Sequence, residues 1–125
     1  MRILLDTHIA IWFLEDPTRL DREARDVLER SGTRSYVSAA SVWETALKEA
    51  KGRISLPEPL DVGATRVGLL ELPVTWAHAR AAAALPTIHS DPFDRLLVAQ
   101  AAAENLVLLT RDRRVAQYDV ETMSA

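Results

Sequence analysis

The chain has 125 residues, 48% hydrophobic and 26% charged, with 15 basic against 18 acidic side chains and a net charge of -3. These proportions fit one globular domain over residues 1–125 that can bury a core, and they exclude wholesale disorder. With no cysteine, a disulfide scaffold, a thiolate zinc site and a cysteine nucleophile are excluded as well.

Ile3-Leu4-Leu5 is a continuous apolar run ending at Asp6, which reads as a buried parallel strand. Thr7 to Glu15 follows as a helix with Ile9, Trp12 and Phe13 at helical spacing, and Asp16-Pro17 stops it. Asp21 to Arg30 reads as a second helix, with Ala24, Val27 and Leu28 on one face and Gly32 beyond its end. Ser35 to Ser38 is a short strand. Ala39 to Ala50 is a helix whose apolar stripe is Ala40, Trp43, Leu47 and Ala50. Prolines and glycines punctuate Pro57 to Leu72, which reads as a loose helix over about residues 59–67 and a strand at Leu69 to Leu72. Trp76 to Leu85 and Asp91 to Asn105 are helical, and Leu106 to Thr110 is a second buried strand. Arg113 to Tyr118 is a helical turn, with room for an edge strand near the end. Strands alternating with helices predict an α/β sandwich with a mainly parallel sheet. No stretch approaches the roughly 20 apolar residues of a membrane span, and the apolar run at the start is too short for a secretory signal. A cytoplasmic protein with no membrane partner is expected.

Four acids stand apart from the solvated majority. Asp6 ends the first buried strand and Asp112 lies just past Thr110, which ends the other. In a parallel sheet, ligands bind at the carboxyl ends of strands. Glu44 is in the first half of a helix that starts at that edge. Asp94 is in the first turn of a helix that returns antiparallel to the last main strand, so it starts there too. Asp94 lies within about 60° of Leu97, Val98 and Ala101 around the helix, at roughly 100° per residue, and so shares the core-facing stripe. A carboxylate there costs several kcal/mol of desolvation unless compensated. Four carboxylates at one edge would raise one another's pKa values. A divalent cation is the simplest compensation, and all-oxygen ligation selects Mg²⁺ or Mn²⁺. Competing structural roles are a helix cap for Asp6, a surface pair with Lys48 for Glu44, and a turn for Asp112. Asp91 reads as the cap of its helix, with Pro92 in the first turn. His89-Ser90-Asp91 has no second histidine at ligand spacing and reads as a loop.

The ordered set of motifs resembles the PIN-domain ribonucleases, specifically VapC-type toxins of bacterial toxin–antitoxin pairs. The resemblance is carried by Asp6-Thr7-His8 after the first strand, by Val37 through Glu44, by Gly52 through Pro57, by Asp91-Pro92-Phe93-Asp94-Arg95 through Ala101, and by Leu108 through Asp112. It implies a PIN-like α/β/α sandwich, with Asp6, Glu44 and Asp94 as metal ligands, Asp112 as a fourth acid of the metal site and Thr110 as the hydroxyl residue just before it. It further implies Mg²⁺- or Mn²⁺-dependent endonucleolytic cleavage of RNA, a homodimer, and neutralisation by a small antitoxin. The stretch from Pro59 to Leu85 carries no signature of the family.

Carboxylate-held Mg²⁺ suits phosphodiester hydrolysis, because it activates water and shields the phosphate. Thr110 could hydrogen-bond Asp6 or the water, and Arg111, Arg113 and Arg114 could contact flanking phosphates. Trp12, Phe13 and Trp43 could line a groove for the antitoxin. A receiver-type aspartyl phosphotransfer site lacks its lysine, since none follows Lys51, and the four glycines form no phosphate-binding loop. The serious rival is a catalytically weak PIN-like domain that only binds RNA or protein.

Overall fold

Two apolar runs set the middle of a five-stranded sheet. In the computed structural model, which describes Met1–Ala125, β1 is Arg2–Leu5, α1 Thr7–Glu15, α2 Arg22–Glu29, β2 Arg34–Ser38 and α3 Ala39–Ala50. They are followed by α4 Leu60–Arg66, β3 Leu70–Leu72, α5 Trp76–Ala84, α6 Pro92–Glu104, β4 Val107–Thr110 and β5 Thr122–Ser124. Short 3₁₀ turns occupy Pro17–Arg19 and Val115–Gln117.

The strand order is β3-β2-β1-β4-β5 and every pairing is parallel. Leu4 of β1 sits opposite Tyr36 of β2 and Leu108 of β4. Side chains alternate across the sheet, so the core divides into two. Ile3 and Leu5 join Ile9, Ala24, Val27, Leu60 and Ala64 on the face covered by α1, α2 and α4. Leu4 and Leu108 join Leu97, Val98 and Ala101 of α6 on the other. The result is a three-layer α/β/α sandwich, parallel throughout rather than mainly so. Its edge strand β5 is the one anticipated near the end of the chain.

The chain builds outward from β1 to β2 and β3, then crosses back to β4 and β5 on the other side. That reversal opens a crevice at the carboxyl ends of β1 and β4. Helix α6 reaches it by a sharp turn. Asn105 closes the helix at φ 54, in the left-handed region that asparagine tolerates, and its N–H and that of Leu106 both bond the Ala101 carbonyl. The following strand therefore runs back along the helix, placing the start of α6 beside the end of β4.

One helix faces differently from its apolar periodicity. Trp43 of α3 is 61% exposed and Leu47 36%. The buried face is instead Ala40, Ser41, Glu44 and Thr45. Three polar side chains go inward because each finds a partner there: Thr45 donates to the Val42 carbonyl, and Ser41 and Glu44 meet Thr7. Buried polar groups cost little once they are bonded.

Candidate active site

Asp6 occupies the N-cap position of α1 but makes no side-chain cap bond. Its carboxylate is free for other work. It lies buried at the crevice, where Thr110 Oγ1 donates to Asp6 Oδ2 at 2.8 Å. The same hydroxyl accepts the Asp112 backbone N–H at 3.0 Å. Thr110 thus ties the end of β1 to the loop that carries Asp112.

Glu44 is 4% exposed. Its Oε1 lies 2.8 Å from Thr7 Oγ1, which is also 2.8 Å from Ser41 Oγ. Thr7 has one proton and the carboxylate can only accept, so Thr7 donates to Glu44 and accepts from Ser41. Glu44 Oε2 takes Lys48 Nζ at 2.7 Å, one turn along the helix. This pair is buried at its acidic end, unlike a free surface pair.

Asp91 caps α6, its Oδ1 accepting the N–H groups of Phe93 at 2.8 Å and Asp94 at 3.1 Å. That fixes the first turn and aims Asp94 into the crevice. Asp94 Oδ2 and Asp112 Oδ2 each lie 3.0 Å from His89 Nε2. Asp112 Oδ1 meanwhile accepts the Arg114 N–H at 2.8 Å. The ligating atoms of His89, Asp94 and Asp112 all lie within 4.8 Å of one another.

Asp6 and Glu44 stand outside that tight triplet but share its field. Burial pushes the Asp94 carboxyl up from 3.8 to about 7, with Asp6, Asp91 and Glu44 adding repulsion that His89 only partly offsets. Burial likewise raises Asp6, more than its bond from Thr110 lowers it, and Glu44 adds to the rise. Asp112 moves the other way. Burial alone would raise it, but the Arg114 N–H and the His89 bond outweigh that and hold it below the usual value.

Two contributors carry weaker sequence signals. His89 is 8% exposed and sits at the centre of the acids. Its value comes from Asp112, 23 residues away, so local spacing hides it. Arg95 follows Asp94 in sequence and looks like a surface charge. Its guanidinium instead donates to the carbonyls of Ala82 at 2.8 Å, Leu85 at 3.1 Å and Pro86 at 3.0 Å, bracing the loop that leads to His89.

Arg111 is engaged within the protein. It lies over the Trp12 ring at 4.8 Å and donates to the Arg19 and Ala125 carbonyls. Arg19 covers the same ring at 4.3 Å, so Trp12 is not an open groove wall. Arg113 and Arg114 are exposed beside Asp112. Trp43 stands edge-on to Phe93 at 5.2 Å.

The comparisons with known proteins bear on this arrangement. A family model described as the PIN domain matches residues 3–121. The chain belongs to the PIN-domain family. Among curated PIN-family relatives, it is 32% identical over 119 residues to Ribonuclease VapC22 of Mycobacterium tuberculosis, covering 93% of this chain and 91% of that one. The PIN fold is shared with solved structures of much lower identity. A chain of VapBC2 from Rickettsia felis, bound to a DNA fragment from its promoter, superposes with a TM-score of 0.74 at 15% identity, covering 99% of this chain and 98% of that one. A chain of DNA-bound VapBC from Salmonella typhimurium does so with a TM-score of 0.68 at 17% identity, with the same coverage.

Proposed function

We propose that this PIN-domain chain is a Mg²⁺- or Mn²⁺-dependent endoribonuclease acting as the toxin of a type II toxin–antitoxin pair. The reading is supported most by the crevice at the sheet's switch point, where the charges of Asp6 and Glu44 reach Asp94, whose carboxyl is pushed up to about 7 by burial first and by those charges second. The curated relative's name, Ribonuclease VapC22, supports the activity. The VapBC neighbours support a small protein antitoxin as partner.

The donor set fits a hard divalent ion. Carboxylate oxygens dominate, their charges are unbalanced, and Lys48 is the only lysine or arginine paired with Asp6, Glu44 or Asp94 at ion-pair distance. Asp6, Glu44 and Asp94 would hold the ion, with Asp112 at its margin. When bound, the ion would lower the pKa of a water and shield the scissile phosphate. The protein's own part is to hold acids ready. Thr110 holds Asp6, Thr7 holds Glu44 and is itself held by Ser41, and the α6 cap sets Asp94. Asp112, kept ionised and bonded through both oxygens, orients an attacking water. Arg113 and Arg114 meet flanking phosphates. No helix is long and apolar enough to cross a membrane.

The test is incubation of purified protein with mixed RNA and Mg²⁺ or Mn²⁺. Endonucleolytic products that vanish on chelation and in Asp94→Asn are expected. RNA binding with no cleavage under either ion would mean the chain is a binding domain only.

A further inference from the structure

The geometry points to His89 as a positioning residue that fixes Asp112 against Asp94 by donating its Nε2–H, and not as a metal ligand. The inference deepens the proposed ribonuclease reading, on which it rests for the roles of Asp94 and Asp112.

The argument starts from the other ring nitrogen. His89 Nδ1 accepts the Asp91 backbone N–H at 3.1 Å. A nitrogen that accepts carries no proton, so the ring proton of the neutral imidazole is on Nε2. That N–H donates to Asp112 Oδ2 at 3.0 Å, while Asp94 Oδ2 lies 3.0 Å from Nε2 without lining up as its acceptor. Ligation of a metal through Nε2 would require the proton to move to Nδ1. It would then face the Asp91 N–H, donor against donor. The Asp91 N–H cannot turn away, because the Asp91 side chain is committed to capping α6. The compact grouping of one histidine and two aspartates therefore looks like a nitrogen-containing metal site by distance alone, and the tautomer argues against it.

The ring is also anchored at its backbone. The His89 N–H donates to Tyr118 Oη at 2.9 Å, and Tyr118 in turn donates to the Pro86 carbonyl at 3.0 Å. Arg95 braces the same loop. His89 is thus a fixed neutral donor to Asp112, with Asp94 close beside it. Asp112 is gripped from both ends, by Arg114 N–H at Oδ1 and by His89 at Oδ2. Asp112 therefore keeps its orientation without a cation.

Two measurements test this. Long-range ¹H–¹⁵N spectra of the metal-free protein, assigned against His89→Gln, should show Nε2 protonated and Nδ1 bare, unchanged at saturating Mg²⁺. Pulsed EPR with Mn²⁺ should show no directly bound ¹⁴N. Transfer of the proton to Nδ1 on adding Mg²⁺, or strong ¹⁴N coupling to Mn²⁺, would overturn the proposal. In kinetics, His89→Leu should lower kcat by about 10–100-fold, typical of lost support behind a metal site, with KM for RNA little changed. His89→Gln should retain most of the activity, because its amide can donate from near the Nε2 position. Equal loss in both variants, or in neither, would count against a donor role. Should His89→Leu not fold, the spectroscopic arms decide alone. If the wild-type protein cleaves no RNA, the enzymatic reading falls, while the tautomer and EPR results still judge His89.

Discussion

Replacing Asp94 with asparagine should stabilise the metal-free fold while abolishing cleavage. The carboxyl titrates near 3.8 when unfolded and at about 7 in place, for reasons of burial first and of Asp6, Asp91 and Glu44 second. A folded-state pKa raised above the unfolded one means the native state holds more protons between the two values. Stability therefore falls as pH climbs from about 4 to about 7 and is flat above that. At 1.36 kcal/mol per unit the difference is at most about 4 kcal/mol, and solvent reaching the partly exposed carboxyl screens it to about 2–3 kcal/mol of penalty at pH 8. Asparagine removes the charge at nearly the same shape. Some attraction to the nearby His89 ring is lost, about 1 kcal/mol, so a net gain of about 1–2 kcal/mol is expected at pH 8. Near pH 4, where the native aspartate is already protonated, the gain should shrink below about 1 kcal/mol. Urea unfolding of both proteins in EDTA at the two pH values reads this directly. Adding Mg²⁺ at pH 8 should narrow the gap, because the ion binds the folded wild type and not the variant. An Asp94→Asn protein no more stable than wild type at pH 8, or one with the same gain at both pH values, would show that the acids are not in electrostatic conflict.

Other substitutions separate structure from chemistry. Asp91→Ala should cost about 1 kcal/mol as a lost cap, seen in thermal unfolding, yet keep measurable cleavage, because the backbone N–H that binds His89 remains. Arg111→Ala should destabilise by about 1 kcal/mol through its lost contact with Trp12 and the two carbonyls and leave RNA affinity unchanged. Arg113→Ala combined with Arg114→Ala should instead weaken RNA binding and flatten its salt dependence in a filter-binding series. Asp112 has a lowered carboxyl pKa, so its contribution to stability is present above the unfolded value of 3.8 and disappears as pH falls through the folded one. Asp112→Asn should therefore lower stability at pH 7 and make little difference near pH 2, the opposite of Asp94→Asn.

How legible each part was in the sequence depends on the range of the interaction behind it. The strands at Ile3–Leu5 and Leu106–Thr110 are set by local apolar runs, and an acid at the end of a parallel strand follows from topology. Asp94 is visible because a charge on the stripe of Leu97, Val98 and Ala101 contradicts its own helix. Helix α3 shows the opposite case. Periodicity selects its most apolar side, Trp43 and Leu47, yet the helix buries Ser41, Glu44 and Thr45, because Thr7, 37 residues from Glu44, satisfies the first two and the Val42 carbonyl the third. His89 and Arg95 are hidden for the same reason. Their partners are Asp112, Tyr118 and the carbonyls at the end of α5, none of which local spacing can supply.

These long-range bonds explain how a crowded acidic site stays ordered before any cation arrives. Three of the acids are each held by a neutral donor: Thr110 for Asp6, Thr7 for Glu44 and the His89 ring for Asp112. A neutral donor fixes direction and supplies a partial charge, but it does not cancel a full negative charge. Lys48 cancels one, at Glu44, while burial first, and repulsion from neighbouring acids in addition, raises the carboxyls of Asp6 and Asp94. A site built this way has its geometry prepared and its electrostatics unfinished. Binding a divalent ion then needs little reorganisation, and most of the interaction energy goes into relieving repulsion that already exists. Filling the crevice with more lysines would have made a more stable protein with nothing left for a metal to do.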